Sequence, residues 1–230
     1  MNLELFIAFW FWKNLVDTMF NTLEISPLSS LEFTALDLET TNLDPHFAEI
    51  LEIGAIRFNK NQILSEFSSL VKPQKPIPSS ATAINGITAD VVRNAPLLED
   101  ILVDFVKFIE GSILVIQNSN FDLSFLLYYS KKLGIPFPDL PVFCTLQLSR
   151  KVFPKFGKYN LIALRKNLSI PDRRQGRSEI KNIHEALDDS FAAMEVFKRC
   201  LEARDSWELP FSKVIHHEKG QKFVRDYGIK

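Results

Sequence analysis

Apolar residues along the chain fall into short unbroken runs and longer periodic stretches, and the two patterns predict different elements. Phe33 to Leu38 is apolar on both faces of an extended chain, which predicts a central strand. Ile50 to Phe58 and Ile63 to Val71 continue as strands, and the short link Asn59-Lys60-Asn61-Gln62 between them suits a hairpin. Pro73, Pro76 and Pro78 then break regular structure. From Ala95 onward Leu97, Leu98, Ile101, Leu102, Phe105 and Phe108 recur at helical spacing, and Gly111 ends the segment. Ile113 to Ile116 is a further buried strand, leading through the polar turn Gln117 to Asn120 into a helix that carries Phe125, Leu126 and Tyr129. Pro141 to Cys144 predicts a fifth strand, and helical patterns follow near Tyr159 to Asn167 and Ala186 to Ala203. Hairpin-linked strands followed by strand-helix units predict an α/β domain, with a mixed five-stranded sheet flanked by helices.

The first 30 residues read as a separate element. Trp12, Leu15, Val16, Met19, Phe20 and Leu23 follow the spacing of an amphipathic helix, with Pro27 as its stop. Upstream of Trp12 the helix is apolar on every side, so a covering surface is expected: its own domain, a second copy of the chain in a homodimer through residues 1–30, another partner, or a membrane. The run Leu5 to Trp12 is too short to span a bilayer, and Glu4 together with the lack of a small-residue cleavage site speaks against a secretory signal. Residues 31–204 then form the main domain and 205–230 a C-terminal tail. Within that tail, Trp207-Glu208-Leu209-Pro210-Phe211 is similar to a short sliding-clamp peptide.

At 46% hydrophobic and 24% charged residues, the composition fits a folded domain and excludes a disordered or fibrous chain. Cys144 and Cys200 are the only cysteines, too few for a disulfide framework or a Cys-rich zinc site, which suits a reducing, cytoplasmic setting. The net charge of −1 conceals a basic block, since Arg150 to Lys181 holds ten Lys and Arg against only Asp172 and Glu179. Such a block is a solvated face or, beside a carboxylate cluster, a surface that holds phosphate.

Carboxylates supply the candidate chemistry. Asp37 and Glu39 are two apart on the first strand and so share one face at its carboxyl end, where open α/β sheets place their ligands. Two like charges there resist joint ionisation unless a cation neutralises them. The pair is also what a strand reaching solvent looks like. Asp122 adds a third carboxylate at a strand-to-helix junction, where it is either a site residue or a helix N-cap. His184-Glu185-Ala186-Leu187-Asp188-Asp189 opens the last long helix.

Taken together, these clusters give the chain a recognisable order. Phe33-Thr34-Ala35-Leu36-Asp37-Leu38-Glu39-Thr40-Thr41, Asn118-x-x-Phe121-Asp122-x-x-Phe125-Leu126 and His184-x-Ala186-x-x-Asp189 resemble the three motifs of the DEDDh exonucleases, the family of the DNA polymerase III epsilon proofreading subunit. Asn85-Gly86-Ile87-Thr88 is similar to that family's loop between sheet and first helix. The resemblance covers about residues 31 to 204. There are three departures: Asn42 stands in place of a glycine, Gln117 in place of a histidine before the Asn, and Asn85 in place of a histidine before Gly86. Asn42 can keep the turn, because asparagine tolerates the left-handed backbone region better than most residues. The other two positions bear on substrate preference.

The resemblance implies a ribonuclease H-like fold, with Asp37, Glu39, Asp122 and Asp189 holding two divalent cations, Mg²⁺ or Mn²⁺, and His184 acting as general base. It also chooses Asp189 over Asp188, which helical spacing alone would put on the face of His184. Thr40, Thr41, Phe121 and Asn118 are candidate contacts to the terminal nucleotide, with a core role open for Phe121, and Arg173, Arg174 and Arg177 are candidate phosphate contacts. The implied activity is 3′-to-5′ removal of nucleoside 5′-monophosphates from single-stranded or frayed DNA ends. RNA trimming on the same fold is the alternative enzyme reading, and a polymerase- or clamp-associated interaction subunit is the alternative of another class.

Overall fold

Backbone hydrogen bonding gathers the unbroken apolar runs into one sheet. The structure is a computed structural model and describes residues 25–173, 185–217 and 221–223. Strand β1 (Phe33–Thr40) is buried on both faces over its first four residues, because it lies inside the sheet with β2 (Ile50–Phe58) antiparallel on one side and β4 (Ile113–Ile116) parallel on the other. β3 (Ile63–Leu70) pairs antiparallel with β2, and Asn59 Oδ1 fixes the hairpin between them by accepting from the backbone N–H of Asn61 and Gln62 at 2.9 and 3.0 Å. β5 (Pro141–Cys144) runs parallel to β4. All five expected strands are thus present, in the order β3-β2-β1-β4-β5, and a short antiparallel β6 (Gln221–Phe223) extends the sheet beyond β5.

Helices cover both faces. On one, Leu36, Leu38, Ile53 and Ala55 pack against Leu102 and Phe105 of α2 (Leu98–Ile109) and Leu123, Phe125 and Leu126 of α3 (Ser119–Leu133). α2 starts later than the periodicity from Ala95 predicts, since Pro96 disfavours helix at the residue before it. On the other face lies α6 (Glu185–Ala203), whose Phe197 ring sits 5.0 Å from both Phe33 and Phe143. Three shorter helices are α1 (Ser79–Asn85), α4 (Thr145–Val152) and α5 (Leu161–Asn167), of which only α5 falls in a stretch whose periodicity predicts it.

Segments before β1 and after α6 join this second core. Leu28, Trp207, Phe211 and Val214 are buried with Phe33 and Phe197, Phe211 belonging to α7 (Phe211–His217). Backbone bonds from Leu28 N to Leu209 O (3.1 Å), Ser29 N to Trp207 O (2.8 Å) and Phe211 N to Ser26 O (2.9 Å) clasp the two segments together. Trp207 and Phe211, the aromatic residues of the clamp-like segment, are thus buried in the core. The helix expected within residues 1–24 lies outside the described residues. Among the described residues, no helix is long and apolar enough to cross a membrane.

Candidate metal centre

The site begins with a mismatch in strand length. β4 pairs with β1 only as far as Leu36, opposite Ile116, so β1 runs on from Asp37 to Thr40 with β2 alone beside it. Strand alternation puts Leu36 and Leu38 into one core and Asp37 and Glu39 on the opposite face. Where β4 ends, Asn118 takes the left-handed conformation (φ 59°) and the chain turns into α3. That turn brings Asp122, in the first turn of α3, under the extended end of β1. Its Oδ1 accepts from Leu38 N at 3.2 Å, an N–H that β4 no longer reaches. Asp122 is buried and also gains from the positive end of its helix.

Asp189 arrives from the other side, and Gly54 is the reason. Gly54 pairs with Asp37 in the sheet, and a Cβ on it would stand 2.3 Å from both the carbonyl carbon of Ala186 and the amide nitrogen of Leu187. The first turn of α6 thus rests directly on β2. The Ser190 hydroxyl reinforces this seat, lying 2.9 Å from Gly54 O and 2.7 Å from Ala186 O with one proton to share. As a result Asp37, Glu39 and Asp189, all half-buried, each offer a carboxylate oxygen within 4.8 Å of the others. Asp122 lies next to this trio, through Leu38, and outside it.

So many carboxyls in one place are strained when ionised. Burial pushes the Asp37 carboxyl well above its usual range, and the nearby charges of Asp122, Asp189, Glu39 and Glu52 push it further. Burial likewise drives Asp122 up to about 8, against the pull of hydrogen bonds from its own backbone and from Leu38. Glu52 was not singled out in sequence. It is fully buried and directly opposite Glu39 in the sheet register, a relation visible only once β1 and β2 are paired. All these donors are hard oxygens, which suits a hard divalent cation rather than a soft metal.

The remaining candidates divide. His184, Arg174 and Arg177 lie outside the described residues. The Thr40 hydroxyl donates to Asn42 O at 2.7 Å, and the buried Thr41 accepts from Glu49 N at 2.8 Å, so both brace the turn that leaves β1. Asn85 of α1 ties to the same turn by donating to Thr40 O at 3.4 Å. Phe121 is half-buried against Phe125, with ring centres 5.1 Å apart. Asn118 is exposed at the rim. Gln117 spans the rim to the basic block, donating to Tyr159 O at 2.9 Å and accepting from Thr145. Arg173 is turned elsewhere: its guanidinium meets Glu66 at 2.8 Å and lies 4.8 Å from the Phe191 ring, which gives it a structural partner in place of the expected phosphate. Asp188 faces away from the trio, toward Arg165 and the Arg173 backbone. Leu43 and Phe47 stand about three-quarters exposed on the β1–β2 loop, at 77% and 76%, as apolar surface beside the site. An open cleft of about 620 Å³ reaches Asp189 from α5.

Residues 34–197 match the Exonuclease family model RNase_T. The chain is similar to the DNA polymerase III subunit epsilon-like protein of Rhodobacter capsulatus (39% identity over 77% of this chain and 25% of that protein). It is also similar to the DNA polymerase III subunit epsilon of Treponema pallidum (36%, covering 72% of this chain and 74% of that one). It matches 12% of the length of the PolC-type DNA polymerase III of Caldanaerobacter subterraneus, at 36% identity over 74% of this chain. Among solved structures, Exonuclease X in complex with 5′ overhanging duplex DNA superposes with a TM-score of 0.62 at 24% identity, over 79% of this chain and 98% of that one. The nuclease domain of 3′hExo, a DEDDh family member bound to rAMP, gives 0.61 at 21%, over 77% and 94%.

Proposed function

The chain belongs to the RNase_T exonuclease family, and on that premise we propose that it removes nucleoside 5′-monophosphates from DNA 3′ ends by metal-dependent hydrolysis. The observation that carries this reading is the trio of Asp37, Glu39 and Asp189 oxygens within 4.8 Å, backed by Asp122 with its carboxyl raised to about 8. Such a cluster is stable in its ionised form only around cations. The four negative charges of Asp37, Glu39, Asp122 and Asp189 would match two divalent cations, Mg²⁺ or Mn²⁺. Bound there, the cations would supply Lewis-acid activation of water and neutralise charge on the leaving 3′ oxygen.

The protein's own groups do the rest. His184, immediately before α6 in sequence, takes the proton from the attacking water, as an imidazole titrating near neutrality can. Leu43 and Phe47 offer exposed apolar surface for the terminal bases, and Thr40, Thr41, Asn118 and Phe121 would contact the terminal nucleotide. Arg174 and Arg177, with the exposed Arg150, Lys155, Lys158 and Lys166, would hold backbone phosphates and make binding fall with salt. Relatives named as polymerase III subunits support DNA over RNA, a polymerase as partner, and a cytoplasmic setting.

The test is release of the 3′ nucleotide from a 5′-labelled single strand in Mg²⁺, with a matched RNA strand alongside. DNA is expected to shorten stepwise, with RNA degraded more slowly, and Asp37→Ala to abolish both. Undiminished degradation by Asp37→Ala overturns the site.

A further inference from the structure

Beside the carboxylate trio the fold has buried a cation of its own. Arg165 lies in α5, and its side chain is only 11% exposed. Its Nη2, with two protons to share, lies 2.6 Å from the Asp188 carbonyl oxygen, against Asp188 Oδ2 and 3.2 Å from Asp189 Oδ1, and its Nη1 donates to Pro171 O at 3.1 Å. The other oxygen of Asp188 accepts from Arg173 N at 2.8 Å. One guanidinium therefore ties α5, the residues after it and the first turn of α6 together, and one of its acceptors is a member of the trio.

Asp188 explains why the arginine stays. Its carboxylate is 4% exposed, and a buried charge of that kind is costly to leave without its partner. The planar guanidinium meets Asp188 and Asp189 through Nη2 while Nη1 is held by Pro171 O, and an ammonium, with a single nitrogen, cannot make both sets of bonds at once. A carboxylate carries two oxygens, so a hydrogen bond to Oδ1 leaves Asp189 able to ligate.

We propose that Arg165, anchored by Asp188, is a positioning residue that holds the Asp189 carboxylate toward Asp37 and Glu39, so that the metal site is assembled before a cation arrives. This rests on the metal reading above. The opposite role is physically distinct: a positive charge acting only as a competitor would weaken cation binding, and its removal would strengthen it.

Mn²⁺ binding to the whole protein, followed by the electron paramagnetic resonance of free Mn²⁺, separates the two, with the metal-free melting temperature measured alongside. Arg165→Lys keeps a charge for Asp188 and is expected to melt within a few degrees of wild type while binding Mn²⁺ about tenfold more weakly, the scale of lost support behind a metal ligand. Arg165→Gln is expected to bind more weakly still. A purely structural arginine would lower melting and leave the Mn²⁺ affinity of the folded protein unchanged. Unchanged or tighter binding by Arg165→Lys overturns the proposal whether or not Arg165→Gln folds. A wild-type protein that binds no Mn²⁺ overturns the metal reading itself, and this proposal with it.

Discussion

Replacing Gly54 by alanine tests whether the seat of α6 on β2 is what places Asp189. The added methyl carbon would lie 2.3 Å from two backbone atoms of Ala186 and Leu187, where ordinary contacts begin at 3.4 Å. Neither neighbour is the end of a flexible side chain, so the helix itself must retreat, by about 1 Å for contact to become tolerable. Overpacking of this kind costs about 1–3 kcal/mol of stability. The same retreat lengthens the Ser190 to Gly54 bond from 2.9 Å and draws Asp189 from a trio that closes within 4.8 Å. Displacements of about 1 Å in a catalytic constellation cost about a hundredfold in rate. Urea denaturation measures the first quantity, and initial rates of 3′-nucleotide release at saturating Mg²⁺, corrected for the folded fraction, measure the second. A Gly54→Ala protein with less than about 0.5 kcal/mol lost and a rate within about threefold of wild type would refute the account.

Phe197→Ala supplies the contrast, since Phe197 sits two turns beyond Asp189 among Phe33, Phe143 and Trp207: it should cost about 3–5 kcal/mol with little effect on the rate of the folded fraction, read by the same two assays. The pH dependence of the metal-free protein follows from the raised carboxyls. In the native state Asp122 titrates near 8 and Asp37 is also raised, whereas unfolded carboxyls titrate near 3.8, so between those values the native state holds more protons and stability falls as pH rises. Urea titrations in EDTA at pH 5 and pH 8 should show this decline, Asp122→Asn should flatten it, and Mg²⁺ should reverse it at pH 8; stability that rises with pH in EDTA would contradict the assignment.

The fold was largely visible in the sequence because its strands are short unbroken apolar runs, which only a sheet covered on both faces accommodates. The site was visible where local rules suffice: Asp37 and Glu39 share a face by strand alternation alone. What escaped depends on pairing across the chain. Glu52 reads as one polar residue in a strand until the register sets it opposite Glu39. Gly54 reads as a weak strand residue, and only the approach of α6 shows why a side chain is excluded. Arg165 belonged to a basic block expected to face phosphate, and burial beside Asp188 sets it apart from its exposed neighbour Lys166. Arg173 was grouped with that block on proximity in sequence, and its partner Glu66 comes from a distant strand. α1 is too short to show a periodicity, with only Ala81 and Asn85 buried.

The clasp between residues 26–29 and 207–211, closed by a bridge from Pro27 to Pro210, also bears on how such a unit can be carried. Phe33 lies at this corner against Trp207, and Asp37 is four residues further along β1, roughly 13 Å away at strand rise. Both clasped segments thus share one corner, at the end of β1 remote from the carboxylates. A unit with adjoining ends can be spliced into a longer polypeptide without pulling its sheet apart. It would stay attached like a tool on a handle, with its carboxylate end facing outward.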